Sequence, residues 1–158
     1  MIKVIVLSLC LISNLLFAKE SKKPKNLTYD ISLSLFNSIH TDAITLGSGK
    51  KLVYVFLDPL CKHSRKFMAL VSKNPKMLSK YQYGIFLYTI PRLKSTDVIS
   101  AIYMSKDQQE TLLQVMLQGT KHSSKGNREV EKKVEKITKV AEALNVRKRP
   151  YIFIKREQ

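Results

Sequence analysis

Apolar residues form two continuous runs that predict buried strands. The runs cover residues 52–57 and 83–90 and are rich in β-branched and aromatic side chains. Strands that are apolar throughout are typical of the centre of a sheet whose two faces are both covered. Pro59 and Pro91 follow the two runs, and proline cannot donate a hydrogen bond into a ladder. Shorter strands are predicted at 43–46, before a turn at 47–49, and from Pro150 onward.

Helical spacing of apolar residues predicts helices between these strands. They lie within 27–46, over 61–72, at 76–81, at 95–105 and 107–118, and over 128–144. Ser95 or Thr96 and Asp107 are the predicted N-caps of the fourth and fifth helices, and Gly119 is the predicted stop. The core-facing residues expected in the first, second and last of these helices are Ile31, Leu35 and Ile39; Phe67, Leu70 and Val71; and Val130, Val134, Ile137, Val140, Ala141 and Leu144.

The apolar stripe of the last helix has two interpretations. It can pair with a partner helix in a coiled coil, or it can pack on the sheet. The stripe is only about two heptads long, whereas coiled coils sustain at least three or four. Packing on the sheet is therefore favoured.

Cys61 stands where a buried strand gives way to a helix. The aligned peptide dipoles and unpaired N–H groups of a helix N-terminus favour negative charge, so a thiolate is stabilised there. Lys62 and a protonated His63 add positive charge beside it. A single thiol of this kind is either reactive or buried and inert, and the position at the start of a helix favours the reactive alternative.

The first eighteen residues have the pattern of a signal peptide. One early lysine precedes an apolar core at 4–17, and Ala18 comes before a lysine-rich stretch. A retained membrane anchor is the alternative, but the apolar stretch is shorter than the roughly 20 residues that span a bilayer. Lipidation of Cys10 is not favoured, because Leu9 stands where a small residue is needed. Removal of the signal leaves Cys61 alone, so in an oxidising compartment it can pair only with another molecule.

The chain is strongly basic, with 28 lysine and arginine residues against 12 acidic residues and a formal net charge of +16. Such a field favours acidic partners, anionic membrane surfaces or nucleic acid. The basic residues are scattered, and no nucleic-acid-binding motif is present. We therefore expect a solvated basic surface without nucleic acid, and we expect neither a metal nor a cofactor.

Four segments resemble the DsbC/DsbG group of periplasmic disulfide isomerases, in that group's order. The first is FLDPLCKHS at 56–64, which is similar to the active-site segment in which Asp-Pro or a similar pair precedes Cys-x-x-Cys. The others are YTIPR at 88–92, AIYMSKD with VMLQG at 101–119, and ALNVRKRPYIFI at 143–154, which resembles the segment carrying the cis-proline of thioredoxin-like folds. The resemblance implies an α/β, thioredoxin-like fold with a helical insertion.

This sequence departs from the resembled group in several places. Ser64 stands where that group has its second, resolving cysteine, and Arg149 precedes the presumed cis-proline where a small or β-branched residue is usual. The chain ends at Gln158, so we expect a C-terminally shortened fold without the group's last strand and closing helix. The expected organisation is a signal peptide at 1–18, a leader with a short helix at 19–47 and a thioredoxin-like domain at 48–158. The leader is too short to encode the group's dimerisation domain.

The resemblance implies roles for five residues. Cys61 is the expected nucleophile, and His63 is similar in position to the histidine of Cys-Pro-His-Cys sites, where it stabilises the thiolate. Ser64 either donates a hydrogen bond to the thiolate or caps the helix. Pro150 in the cis form would leave the backbone of Arg149 free to pair with a substrate chain, and the Arg149 cation would lie beside the sulfur or in solvent.

Two classes of function remain open from the sequence. The first is periplasmic thiol–disulfide exchange by one thiol, as an isomerase or reductase acting on secreted proteins with cysteines, with a redox partner supplying the resolving thiol. The second is a redox-inactive binding or chaperone module in the assembly of an envelope or secretion complex. The last strand is expected to be an exposed sheet edge, which could also pair with a second copy of the chain.

Overall fold

Four strands form one mixed sheet in the computed structural model, which describes residues 27–156. The strands are β1 (Ile44–Leu46), β2 (Lys51–Leu57), β3 (Tyr81–Leu87) and β4 (Tyr151–Ile154), in the spatial order β1-β3-β2-β4. β2 and β3 are parallel, while β1 and β4 run antiparallel to their neighbours. The two apolar runs are thus the central strands, as predicted, and β4 is an edge. The predicted signal peptide and the start of the leader lie outside the described residues.

Helices cover both faces of the sheet. They are α1 (Tyr29–Ile39), α2 (Lys62–Ser72), α3 (Pro75–Lys80), α4 (Thr96–Met104), α5 (Gln108–Leu113), which continues as a π-helical turn at Gln114–Gln118, and α6 (Arg128–Ala143). Short 3-10 turns occupy His40–Asp42 and Pro91–Leu93. This arrangement confirms the α/β, thioredoxin-like class. Among the helices of residues 27–156, none is long and apolar enough to cross a bilayer.

An aromatic cluster fills the space between α1 and the sheet. The ring of Phe36, which is fully buried, stacks on Tyr54 with centroids 4.8 Å apart and contacts three further phenylalanine rings. These are Phe56, Phe86 and Phe153, one each from β2, β3 and β4. Aromatic side chains bury more area than any others, so this cluster joins α1 and three strands into one core.

The opposite face of the sheet lies under α2. Phe67 of α2 meets Tyr83 of β3 edge-on, with the ring centroids 6.1 Å apart. Tyr83 pairs with Val53, and Val53 pairs with Ile154 of β4. Directly paired residues point to the same face, so all three residues lie on the α2 side of the sheet.

Two predicted helix faces differ from the observed ones. In α2 the buried residues are Ser64, Met68 and Val71, while Leu70 is exposed. In α1 they are Ser32, Phe36 and Ile39, whereas Ile31 is exposed. In both helices, spacings of three and four residues fit two neighbouring rows of side chains, and the sequence alone did not identify the row that packs on the sheet.

The remaining helix predictions agree with the structure. In α6 the buried residues are Val130, Ile137, Val140 and Ala141, and the helix packs against α1, α4 and β3. Asp107 caps α5 by accepting from the Glu110 N–H, at 2.9 Å, and Gly119 ends the π-helical turn with a φ of +71°. Residues 29–46, which we placed in a leader, supply α1 and the edge strand β1.

The predicted turn at 47–49 connects β1 to β2. Gly47 has a φ of +83°, which glycine adopts without a steric penalty. The Gly49 N–H donates to the Tyr81 carbonyl at 3.2 Å, and a Cβ at Gly49 would overlap the carbonyl carbon of Lys80. Glycine is therefore required for the chain to cross this close to α3 and β3.

Candidate active site

Cys61 lies at the N-cap of α2, four residues after the end of β2. Its backbone is extended, with φ −76° and ψ 123°, and its carbonyl accepts the N–H of Arg65 at 2.9 Å. Within residues 27–156 the sulfur makes no hydrogen bond, and the residue is 6% exposed. The predicted placement at a helix N-terminus is confirmed. The N–H groups of the first turn, which have no partner within the helix, lie at the same end of α2 as Cys61.

Asp58 organises the loop that leads to Cys61. Its carboxylate is fully buried, and Oδ1 accepts from the Leu60 N–H at 2.8 Å. Oδ2 accepts from the Ile90 N–H and from the Ser95 hydroxyl, the latter at 2.7 Å. One side chain thus accepts from three donors, the N–H groups of Leu60 and Ile90 and the Ser95 hydroxyl. The sequence resemblance gives Asp58 no role beyond the Asp-Pro pair. A carboxylate between a buried strand and a proline is the signal that points to a structural role.

Ser64 supports the same loop. It is fully buried, and its Oγ accepts the Asp58 N–H at 3.3 Å. Neither predicted role of this hydroxyl is observed, because Cys61 is the N-cap residue and no bond between Ser64 and the sulfur is present in the described part of the chain. The serine therefore connects the end of β2 to the first turn of α2.

Arg149 and Pro150 lie at the same end of the sheet as the Cys61 loop. The bond between them is cis, and Tyr151, the next residue, pairs with Phe56. The Arg149 guanidinium lies 3.9 Å above the Tyr88 ring and donates from Nη2 to the Thr89 carbonyl at 2.7 Å. Its Nε is buried without an acceptor among the described residues. We expected the Arg149 cation beside the sulfur or in solvent. It is held against the segment that follows β3.

A chain of polar contacts joins the three segments. The Ser95 hydroxyl, which donates to Asp58, also lies 2.7 Å from the Thr89 hydroxyl, and the Thr89 carbonyl accepts from Arg149. The Cys61 loop, the end of β3 and the segment before β4 are therefore held as one unit. Ser95 occupies the predicted N-cap of α4, but its side chain makes no capping bond.

Basic residues follow Cys61 along the chain. Lys62 and His63, which follow Cys61 directly, are both exposed, and the Arg65 Nε donates to the Pro59 carbonyl at 2.9 Å. The His63 imidazole makes no hydrogen bond within residues 27–156, so its role as a thiolate stabiliser stays a prediction. No group of three or more His, Cys, Asp or Glu residues able to hold a metal is found in the same range.

Two further side chains, Tyr103 and His122, have buried polar atoms. The Tyr103 hydroxyl accepts the N–H of Leu87, the last residue of β3, at 3.0 Å, and burial raises the pKa of Tyr103. His122 is half-buried, and its Nε2 is buried without a partner among the described residues. The spacing of residues in the sequence predicts neither feature.

No protein-family profile and no curated protein sequence matches the chain. Solved structures do match, and they define the class as a thioredoxin-like fold. One neighbour is Helicobacter pylori DsbG, at 19% identity with a TM-score of 0.61, covering 80% of this chain. This chain spans only 61% of that protein.

Two further neighbours belong to the same fold class. Proteus mirabilis ScsC has a TM-score of 0.65 at 14% identity, with coverage of 82% of this chain and 71% of that one. The thiol-disulfide exchange protein alpha-DsbA2 from Wolbachia pipientis has a TM-score of 0.62 at 12% identity, with coverage of 80% and 84%. At these identities the likeness establishes the fold, and any activity has to be argued from the site.

Proposed function

We propose that the protein is a periplasmic thiol–disulfide exchange protein that acts through one thiol, Cys61, as a disulfide isomerase or reductase. The observation that carries the proposal is the sulfur at the N-cap of α2, without a hydrogen bond, at the end of the sheet where Arg149 and Pro150 also lie. The sequence resemblance to the DsbC/DsbG group and the likeness to thioredoxin-like structures support the same chemistry.

The reaction needs no cofactor. The Cys61 thiolate attacks a substrate disulfide, a new S–S bond forms between protein and substrate, and the other substrate sulfur leaves as a thiolate. In isomerisation a second substrate thiolate attacks the mixed disulfide and regenerates Cys61, so nothing is oxidised overall. In reduction, an external thiol such as glutathione attacks the Cys61 sulfur of the mixed disulfide, and the substrate leaves as a thiol. A second glutathione then attacks the Cys61–glutathione disulfide, which regenerates the Cys61 thiolate and forms oxidised glutathione.

The side chains around the sulfur have distinct roles in this proposal. The N–H groups of the first turn of α2, with Lys62 and a protonated His63, stabilise the thiolate. The backbone N–H and carbonyl of Arg149, which have no backbone partner within the described residues, offer an extended substrate two hydrogen bonds. Ser64 fills the place of a resolving thiol, so release depends on a thiol from outside.

The monothiol mechanism is tested by Ser64→Cys in a chain whose Cys10 is replaced by serine. With glutathione disulfide, the Ser64 protein is expected to accumulate an adduct at Cys61, because no internal thiol displaces it. The Ser64→Cys variant is expected to release glutathione and close an internal disulfide. Intact-mass measurement of acid-quenched samples follows both species.

The matched control is Ser72→Cys on the last turn of the same helix, whose hydroxyl donates to the Met68 carbonyl. A thiol there is a full helix length from Cys61 and is expected to leave the adduct in place. Persistence of the adduct in folded Ser64→Cys, or its absence from the Ser64 protein, would contradict the monothiol mechanism.

A second candidate is a redox-inactive module that binds other envelope proteins. The observation that favours it is the low exposure of Cys61, since an inert thiol is a shielded one. Alkylation separates the candidates: an active thiol reacts with iodoacetamide in the folded protein faster than free cysteine at the same pH. A rate that rises only after denaturation would favour the binding module.

The periplasm is the proposed compartment because a lone exchange thiol needs disulfide-containing substrates. The predicted signal peptide supports this location. A structural neighbour from Salmonella enterica serovar Typhimurium is described as a periplasmic thioredoxin-like protein.

A further inference from the structure

The outer edge of β4 presents unpaired backbone groups. The Lys155 N–H donates to the Leu52 carbonyl at 3.0 Å, so residues 151, 153 and 155 are those whose backbone groups face β2. The alternate residues, Ile152 and Ile154, direct their N–H and C=O groups away from the sheet. Neither residue makes a hydrogen bond on that side within residues 27–156.

The same two residues expose apolar side chains. Ile152 is 46% exposed and Ile154 is 57% exposed. Their partners in β2, Val55 and Val53, are buried on the α2 side of the sheet. The helices of the described chain therefore cover β2 on this face but leave β4 open, beside an edge that can accept another strand.

Cations flank this strand at both ends. Arg147, Lys148 and Arg149 precede Pro150, and Lys155 and Arg156 follow β4. Lys148 and Lys155 are exposed and make no ion pair among the described residues. Arg156 lies over the Tyr29 ring and Arg149 over the Tyr88 ring, so both guanidinium groups are held near the ends of the strand.

We propose that the β4 edge binds an extended segment of another protein in which a short apolar strand is flanked by acidic residues. Main-chain hydrogen bonds to Ile152 and Ile154 would add a fifth strand, and the flanking cations would select acidic ends.

A second copy of the chain fits less well. Antiparallel self-pairing of β4 places Arg149 and Lys148 beside Lys155 and Arg156 of the other copy, and like charges in such positions repel. The proposal is independent of Cys61.

The test measures binding of a fluorescent peptide with a Thr-Val-Thr-Val core flanked by two glutamates at each end. Two comparison peptides are used. One has the same core flanked by lysines, and the other is the glutamate peptide with alternate amides N-methylated. We expect the glutamate peptide to bind at least about 10-fold more tightly than either, in fluorescence anisotropy. N-methylation preserves the charge, so it separates strand pairing from attraction to a basic protein.

Ile152→Pro is the matching protein variant. It removes an outward N–H without touching the β2 ladder, which edge strands tolerate. It is expected to reduce binding of the glutamate peptide by at least about 10-fold, as is Ile152→Ser. Ile31→Ser, at a residue 50% exposed on α1, is expected to bind as the parent does.

Three outcomes would overturn the proposal. They are equal binding of the N-methylated peptide, unchanged binding by Ile152→Pro and Ile152→Ser, and a dimer in sedimentation that Ile152→Pro dissociates. The last result would identify a second copy as the occupant. The peptide assay uses protein in which Cys61 is replaced by alanine. Disulfide exchange therefore cannot contribute to the measured binding.

Discussion

Alanine in place of Cys61 is expected to reduce disulfide exchange to the background rate of the glutathione buffer. Every bond-making step proposed here uses this sulfur, and no other cysteine lies within residues 27–156. The measurement is recovery of a scrambled multi-disulfide substrate in a chain lacking Cys10. In cells, adducts with secreted proteins on non-reducing gels are expected to disappear with the same change.

Cys61→Ser is the control that separates chemistry from folding. Serine is a preferred N-cap residue and can accept the N–H of the second or third helical residue, so this variant is expected to be at least as stable as the parent. It should be as inactive as Cys61→Ala. Residual exchange by a folded Cys61→Ser protein would show that Cys61 is not the nucleophile.

Alanine in place of Asp58 is expected to lower the free energy of unfolding by about 3–4 kcal/mol. The change leaves the N–H groups of Leu60 and Ile90 without their acceptor, while the Ser95 hydroxyl keeps only its contact with the Thr89 hydroxyl. An unsatisfied buried donor costs about 1–3 kcal/mol, and entry of water offsets part of the total. Urea denaturation followed by circular dichroism measures the difference.

Asp97→Ala is the matched control, because Asp97 is an exposed carboxylate in the first turn of α4. Its removal is expected to lower the stability by at most about 1 kcal/mol, the usual contribution of an acidic residue at a helix N-terminus. Similar losses in the two variants would show that the Asp58 contacts do not hold the loop. The loss of stability caused by Asp58→Asn should lie between those of Asp58→Ala and Asp97→Ala. An amide keeps one acceptor oxygen, but its NH₂ group adds donors that face other donors.

The order of the elements could be predicted from the sequence because it depends on local patterns. Continuous apolar runs identified β2 and β3 as central, and the Asp-Pro pair after β2 placed Cys61 at the start of α2. The cis form of Pro150 was expected from resemblance to thioredoxin-like folds and is observed. These features are carried by residues close together in the chain.

The polar network of the site could not be predicted in the same way. Asp58 bonds to Ile90 and Ser95, which are 32 and 37 residues further along the chain, and Arg149 bonds to Thr89 across 60 residues. Such contacts depend on how the ends of three strands meet in space. The choice between adjacent rows on α1 and α2 depends likewise on the sheet beneath, which explains why Ile31 and Leu70 were placed on the wrong side.

The buried hydroxyl of Tyr103 has a consequence for the optical behaviour of the protein. The chain contains no tryptophan, so its seven tyrosines dominate the near-ultraviolet spectrum. Because burial raises the pKa of Tyr103, the folded state retains this proton at alkaline pH, whereas the unfolded chain loses it near pH 10. Stability is therefore lost as the pH rises above that value. Burial also raises the pKa values of Tyr54 and Tyr83, so delayed phenolate absorbance from these three rings reports global unfolding without an added dye.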